Sequence, residues 1–148
     1  PIREVAILFF GIFITMTPAL SYLNDHAATL GLTKTWQFYY ATGALSSFLD
    51  NTPTAVAFHS VASGLSAEQM ADFGGAIVAG IPEVLMRAIC LGAVLFGSIT
   101  YIGNGPNFMV KAIAEENGVK MPSFFGYILK FALVVLLPVY VLAQLIFL

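Results

Sequence analysis

The chain has 148 residues, of which 59% are hydrophobic and only 9% charged, with a formal net charge of -2 and a mean hydropathy of +0.88. An ordinary soluble domain carries about 25% charged residues, so this composition excludes one and places the chain in a lipid bilayer. It also lacks the basic face that a nucleic acid partner demands, and its single cysteine, Cys90, excludes a disulfide framework or a thiolate metal site within the chain and reads as a small buried hydrophobe.

Residues 5–23 form the first expected span. The run from Val5 to Asn24 carries no charge and has about the 20 residues that a helix needs to cross roughly 30 Å of hydrocarbon. It is too long, and too weakly basic in front, for a signal peptide. Pro18 should kink its last turn, because proline removes a backbone donor and clashes with the preceding turn. Because the chain opens at Pro1 without Met, the remainder of the same transporter is expected N-terminal to Pro1. The polar loop after the span includes His26, read as a surface residue.

Residues 35–65 contain "ALSSFLDNTPTAVAFHS", which sets a carboxylate, two hydroxyls, an amide and a proline in the middle of an apolar run. Each half around residues 50–53 has near 15 residues and reaches only about 22 Å as helix. Two short helices meeting at a polar break suit a re-entrant hairpin with its tip near the midplane; the alternative is one long helix kinked at Pro53. Asp50 is the leading candidate, since a carboxylate at membrane depth costs at least about 2.5 kcal/mol and is a functional-site hypothesis by default. It also suits the N-cap of the returning helix. Asn51, Thr52, Pro53 and Thr54 complete the tip, and Ser47 is a secondary candidate. His59 offers an imidazole, a possible relay for protons, though packing explains it equally simply. Trp36, Phe38, Tyr39 and Tyr40 read as an interfacial aromatic belt.

Residues 82–110 make a second membrane-length run, opened by Glu83 and Arg87 at ion-pair spacing and interrupted by "GSITYIGNGPNFMVK", residues 97–111. Glycine permits unusual backbone angles and proline removes a donor, so this stretch should unwind and free carbonyls and helix ends. Gly103, Asn104, Gly105, Pro106 and Asn107 are the candidates here, with Ser98 and Thr100 secondary. Two discontinuous helices in one chain point to a transporter site. Asp50, Asn51 and Asn104 are the expected sodium ligands, because a hard cation takes oxygen donors. Lys111, Glu115 and Lys120 read as a solvated loop. Residues 123–148 form the last span, with a kink expected at Pro138.

The fold class is therefore all-α integral membrane: three spanning helices plus a re-entrant helical hairpin, in one transmembrane domain covering 1–148. Arg3, Lys111 and Lys120 fall on one side and Lys34 and Arg87 on the other, which puts the first set in the cytoplasm and opens the hairpin outward. Burying a carboxylate, amides and freed carbonyls separately is costly, so the tip at 50–54 and the break at 103–107 should pool around one polar cavity.

At these motifs the chain resembles the ion transporter superfamily, most closely its citrate-transporter-like and D-type sodium/proton antiporter branch. "LSSFLDNTPT" is similar to that branch's hairpin tip, and "YIGNGPNFMVKAIAEENGVKMPSFFGY" to its second broken helix and the following loop. The resemblance covers nearly the whole chain and implies the C-terminal half of an inverted-repeat transporter, a homodimer in the inner (cytoplasmic) membrane, multi-pass, with an elevator-like movement. In the dicarboxylate carriers each tip reads Ser-Asn-Thr; Asp50 departs from that serine and favours a small inorganic cation or a proton over a small carboxylate. Sodium/proton antiport is the leading reading, cation-coupled citrate or carboxylate symport the alternative, and a non-transporting membrane subunit a third. Enzyme motifs are absent. No cofactor is expected; sodium and protons are the transported or coupling ions.

Overall fold

The computed structural model describes residues 2–148; Pro1 lies outside the described residues. It is mostly helical. The first helix, α1 (Ile2–Asp25), continues through Pro18. Thr15 and Thr17 return their hydroxyls to the carbonyls of Gly11 and Phe13, at 2.9 and 3.2 Å, so they add no unsatisfied polar group to an apolar surface. A 3-10 turn (Ala27–Leu30) closed by Gly31 at φ 66 leads to α2 (Thr35–Ser46), where Gln37 Oε1 accepts the backbone N–H groups of Thr33 and Lys34 at 2.8 and 2.9 Å.

After a break at 47–50, α3 (Asn51–Ser63) begins. Near its end, Ser60 donates to the Leu20 carbonyl at 2.8 Å and accepts, through its own carbonyl, from Asn24 Nδ2 at 3.0 Å. The end of α3 thus lies beside the end of α1, the same helix end from which the loop to α2 departs. A short helix, α4 (Ala67–Ala71), carries a reciprocal cap between Ser66 and Gln69.

The chain is not purely helical. Strands β1 (Ile77–Val78) and β2 (Ile81–Pro82) pair antiparallel around Ala79 and Gly80, both at positive φ, 49° and 84°. A two-residue hairpin turn of this hand needs positive φ at both central positions. Glycine meets that readily and alanine does not, which is why the residue pattern did not suggest a turn of this kind.

Helix α5 (Glu83–Phe96) follows at once and makes with α2 the most extensive helix–helix contact. The closeness has a local cause. A Cβ on Gly92 would lie 2.5 Å from the Tyr39 carbonyl oxygen, and one on Gly43 the same distance from the Phe96 ring. Small residues let the backbones approach, and Phe38, Tyr39, Leu85 and Ile89 fill the seam without exposure. Phe38 and Tyr39 are therefore core residues and not part of an aromatic belt; Trp36 remains exposed. Cys90, read as buried, is exposed on the outer side of α5.

The helix stops at Phe96 and resumes as α6 (Gly105–Glu116). Lys111 and Glu115 lie on α6 as an ion pair of 2.7 Å, not in a loop, and Glu83 pairs with Arg87 at 2.7 Å one turn into α5. The last run, Phe124–Phe147, is among the described residues the one helix long and apolar enough to cross a membrane. It comprises α7 (Phe124–Tyr127), a π-helical stretch (Ile128–Leu136) and α8 (Leu137–Phe147). The π-helical turns end just before Pro138. A wider turn moves the carbonyl four residues back away from the proline ring, accommodating a clash that an α-helix would relieve by kinking.

Candidate functional site where two helix breaks meet

Two interruptions, 47–50 and 97–104, come into contact although about 50 residues of chain separate them. Thr100 makes the central link: its hydroxyl donates to the Ser47 carbonyl, and its oxygen accepts from the N–H groups of Ile102 and Gly103 at 3.2 and 2.9 Å. One buried side chain thus ties the hairpin tip to the break and satisfies the unwound backbone there.

Ser46, in the last turn of α2, sits under the tip with no exposure. Its Oγ donates to the Ala93 carbonyl of α5 at 2.5 Å and lies 2.9 Å from the Asn51 side-chain amide. Ser47 Oγ donates to the Gly43 carbonyl at 3.0 Å. On the other side, Gly97 and Gly103 are the floor. A Cβ on Gly97 would overlap the Asn51 amide, and one on Gly103 would lie 2.6 Å from the Ser47 carbonyl and 2.8 Å from that of Ser46. Glycine is needed at both positions because the tip's own backbone occupies the space.

The remaining candidates are distributed around this junction. Asp50 caps α3, its Oδ1 accepting from the Asn51 N–H at 2.7 Å. It is exposed and borders an apolar cleft of about 370 Å³ shared with Ile12, Met16, Leu49, Pro53 and Thr54. Asp50, Pro53 and Thr54 hence face α1, while Asn51 and Ser47 face the break. Thr54 is buried and donates to the Asp50 carbonyl at 2.9 Å. Thr52 is exposed, as are Gly105 and Pro106 at the start of α6. Asn107 donates to the Thr100 carbonyl at 3.3 Å. Asn104 is half-buried at the N-cap of α6 and makes no capping hydrogen bond.

The meeting of tip and break accordingly runs through Ser46, Ser47 and Asn51 on one side and Gly97, Thr100 and Gly103 on the other. It lies about a turn earlier in each segment than 50–54 and 103–107. Ser98 belongs to the same region but is turned toward the last helix. Its Oγ contacts the Tyr140 hydroxyl, and its carbonyl accepts from the Tyr127 hydroxyl at 3.0 Å. His59 lies elsewhere. Its Nε2 donates to the Ala79 carbonyl at 3.0 Å, nine residues past Asp50 and hence about 13 Å along α3.

Sequence reasoning passed over Ser46 and the carbonyls of α5. The available signal was a hydroxyl in the last turn before a helix break, where free carbonyls gather; an adjacent serine drew the attention instead.

Two broken helices gathered around one polar junction, in a chain of this hydropathy ending in a span-length apolar helix, define a helical membrane protein of the transporter class. All of the chain, residues 1–148, matches the family described as "Putative citrate transport", and the chain belongs to that citrate-transporter-like ion transporter family. Neither the curated proteins nor the solved structures gave a match.

Proposed function

We propose that this chain is one half of a secondary active transporter in the inner membrane, multi-pass and dimeric, that exchanges sodium for protons. The observation that carries the reading is chemical: the junction of the two breaks is rich in oxygen acceptors and poor in N–H donors. Asn51 and Asn104 offer amide carbonyls, the backbone supplies the carbonyls of Ser46, Ser47 and Gly97, and Asp50 adds the carboxylate beside them. The donors an anion would need are scarce. Each helix start carries a proline, Pro53 and Pro106, which has no N–H, and the first N–H of α3 is taken by Asp50. A hard monovalent cation suits such a set.

In this mechanism α2 and α3 form the re-entrant hairpin, with Asn51, Thr52, Thr54, Asn104 and Asn107 lending oxygens. Asp50 takes a cation or a proton in turn, so the two cannot ride together. The expected result for Asp50→Asn, in the complete protein reconstituted in vesicles, is loss of sodium-driven proton movement with normal assembly. Unchanged exchange would sink the proposal.

The family's description favours a second reading, cation-coupled symport of citrate or another small carboxylate. Uptake of labelled citrate that requires a sodium gradient would support it over antiport. Saturable sodium binding indifferent to citrate would support antiport.

A further inference from the structure

We propose that Ser46 is a positioning residue that fixes which end of the Asn51 amide is presented to the transported cation. The inference rests on the reading of the junction as a cation site and adds to it a determinant of charge preference. It begins with one proton. The Ser46 hydroxyl has a single hydrogen and two neighbours, the Ala93 carbonyl oxygen at 2.5 Å and the Asn51 amide at 2.9 Å.

Two oxygens 2.5 Å apart repel unless a hydrogen lies between them, so the serine proton belongs to Ala93. The Ser46 oxygen can then only accept from Asn51, and the amide end facing it must be the nitrogen, because an amide carbonyl has no hydrogen to give. Oxygen and nitrogen of an asparagine amide are interchangeable in shape, and the hydrogen-bond network decides between them.

The consequence is a fixed polarity. With Nδ2 held against Ser46, Oδ1 faces away from it, and that end of the amide makes no hydrogen bond within the chain. A carbonyl oxygen offered to the site ligates a cation; an amide nitrogen in the same place would bind an anion instead. Ser46 itself touches no ion. It is fully buried, and Ala93 fixes it from α5, so the orientation is built into the helix pair α2–α5 and does not depend on the passenger. The absence of a Cβ at Gly97, which would otherwise overlap the amide, leaves the side chain room to hold this pose.

A double-mutant cycle tests this, because aspartate carries oxygen at both ends and needs no orientation. Sodium binding is measured by calorimetry on the complete protein in detergent for the native protein, Ser46→Ala, Asn51→Asp and the double variant. Ser46→Ala should weaken sodium binding about tenfold when residue 51 is Asn, the scale of one well-placed hydrogen bond, and by less than about twofold when it is Asp. An equal loss in both backgrounds, or no loss in either, overturns the proposal and leaves Ser46 a packing residue. Should Ser46→Ala fail to assemble, Ser46→Cys, a weak donor of similar size, runs the same cycle with the same two outcomes. Absence of sodium binding to the native protein would overturn the cation reading itself, whereas binding with an additive cycle would remove only the role of Ser46.

Discussion

At the scale of single residues, Ala79 is the one non-glycine among the described residues held at positive φ, at 49°. An L-residue there crowds its Cβ against the carbonyl, a cost of about 1 kcal/mol that glycine escapes. Part of that gain is offset by the greater freedom of glycine in the unfolded chain. Ala79→Gly should therefore stabilise the β1–β2 turn by about 0.5 kcal/mol. The expected readout is a small rise in the thermal midpoint in detergent, and a fall would contradict the strain. His59 keeps its partner in that variant, since it bonds the backbone carbonyl.

Residue chemistry was legible in the sequence where a residue type has one dominant use. Asp50 as an N-cap follows from its place before a helix, and the Glu83–Arg87 pair from its spacing. It was not legible where the partner is backbone. Nothing in "LSSFLD" says that Ser46 reaches the Ala93 carbonyl and Ser47 does not, because that choice is made by the rotation of α2 against α5. The direction of Asp50 is another case. Charge and burial cost argue for a pooled site, yet the carboxylate sits on the α1 side of the tip, across from the break that Asn51 faces.

At the scale of elements, the α2–α5 pair sets the geometry of the junction, and Gly92 sets the pair. Gly92→Ala places a methyl 2.5 Å from the Tyr39 carbonyl, a backbone atom that can yield only if the helices part. Overpacking of this kind costs about 1–3 kcal/mol. The thermal midpoint should drop and Ser46 should lose its register with Ala93. Gly11→Ala is the contrasting case, since nothing lies within 4 Å of its added Cβ, and its midpoint should stay with the native value. Equal effects at Gly11 and Gly92 would show that close approach is not what Gly92 provides. The positions of both interruptions could be read in advance because Pro and Gly act through local backbone chemistry. The π-helical turns before Pro138 could not, since proline permits either a kink or a widened helix and packing selects between them.

At the scale of the whole molecule, the outer faces remain apolar. On α6, Phe108, Met109, Val110 and Ile113 are all exposed, and on α8 so are Leu145, Ile146 and Phe147, surfaces that suit lipid or further protein. The proposed arrangement places Lys34 outside and Lys120 in the cytoplasm. With Cys90 replaced by Ser, a cysteine at Lys34→Cys should react with a membrane-impermeant maleimide on intact cells, and one at Lys120→Cys only after permeabilisation. The opposite pattern would invert the topology, and labelling of both from outside would discard it.

The tyrosines around Ser98 give the molecule a load path. Tyr39 donates to the Tyr140 carbonyl at 2.9 Å, Tyr40 to Gln144 at 2.9 Å, and Tyr127 and Tyr140 both hold Ser98. The first arm of the hairpin, the unwound strand of chain and the terminal helix are thereby fastened at five residues, whereas α1 is pinned chiefly near its end, by Leu20 and Asn24. Force applied to the tip would pass into the terminal helix before it reached the first. Any stroke that carries the ion across should leave the distance between residues 39 and 140 unchanged while residue 12 slides past residue 49, with the apolar cleft between them as the slip surface.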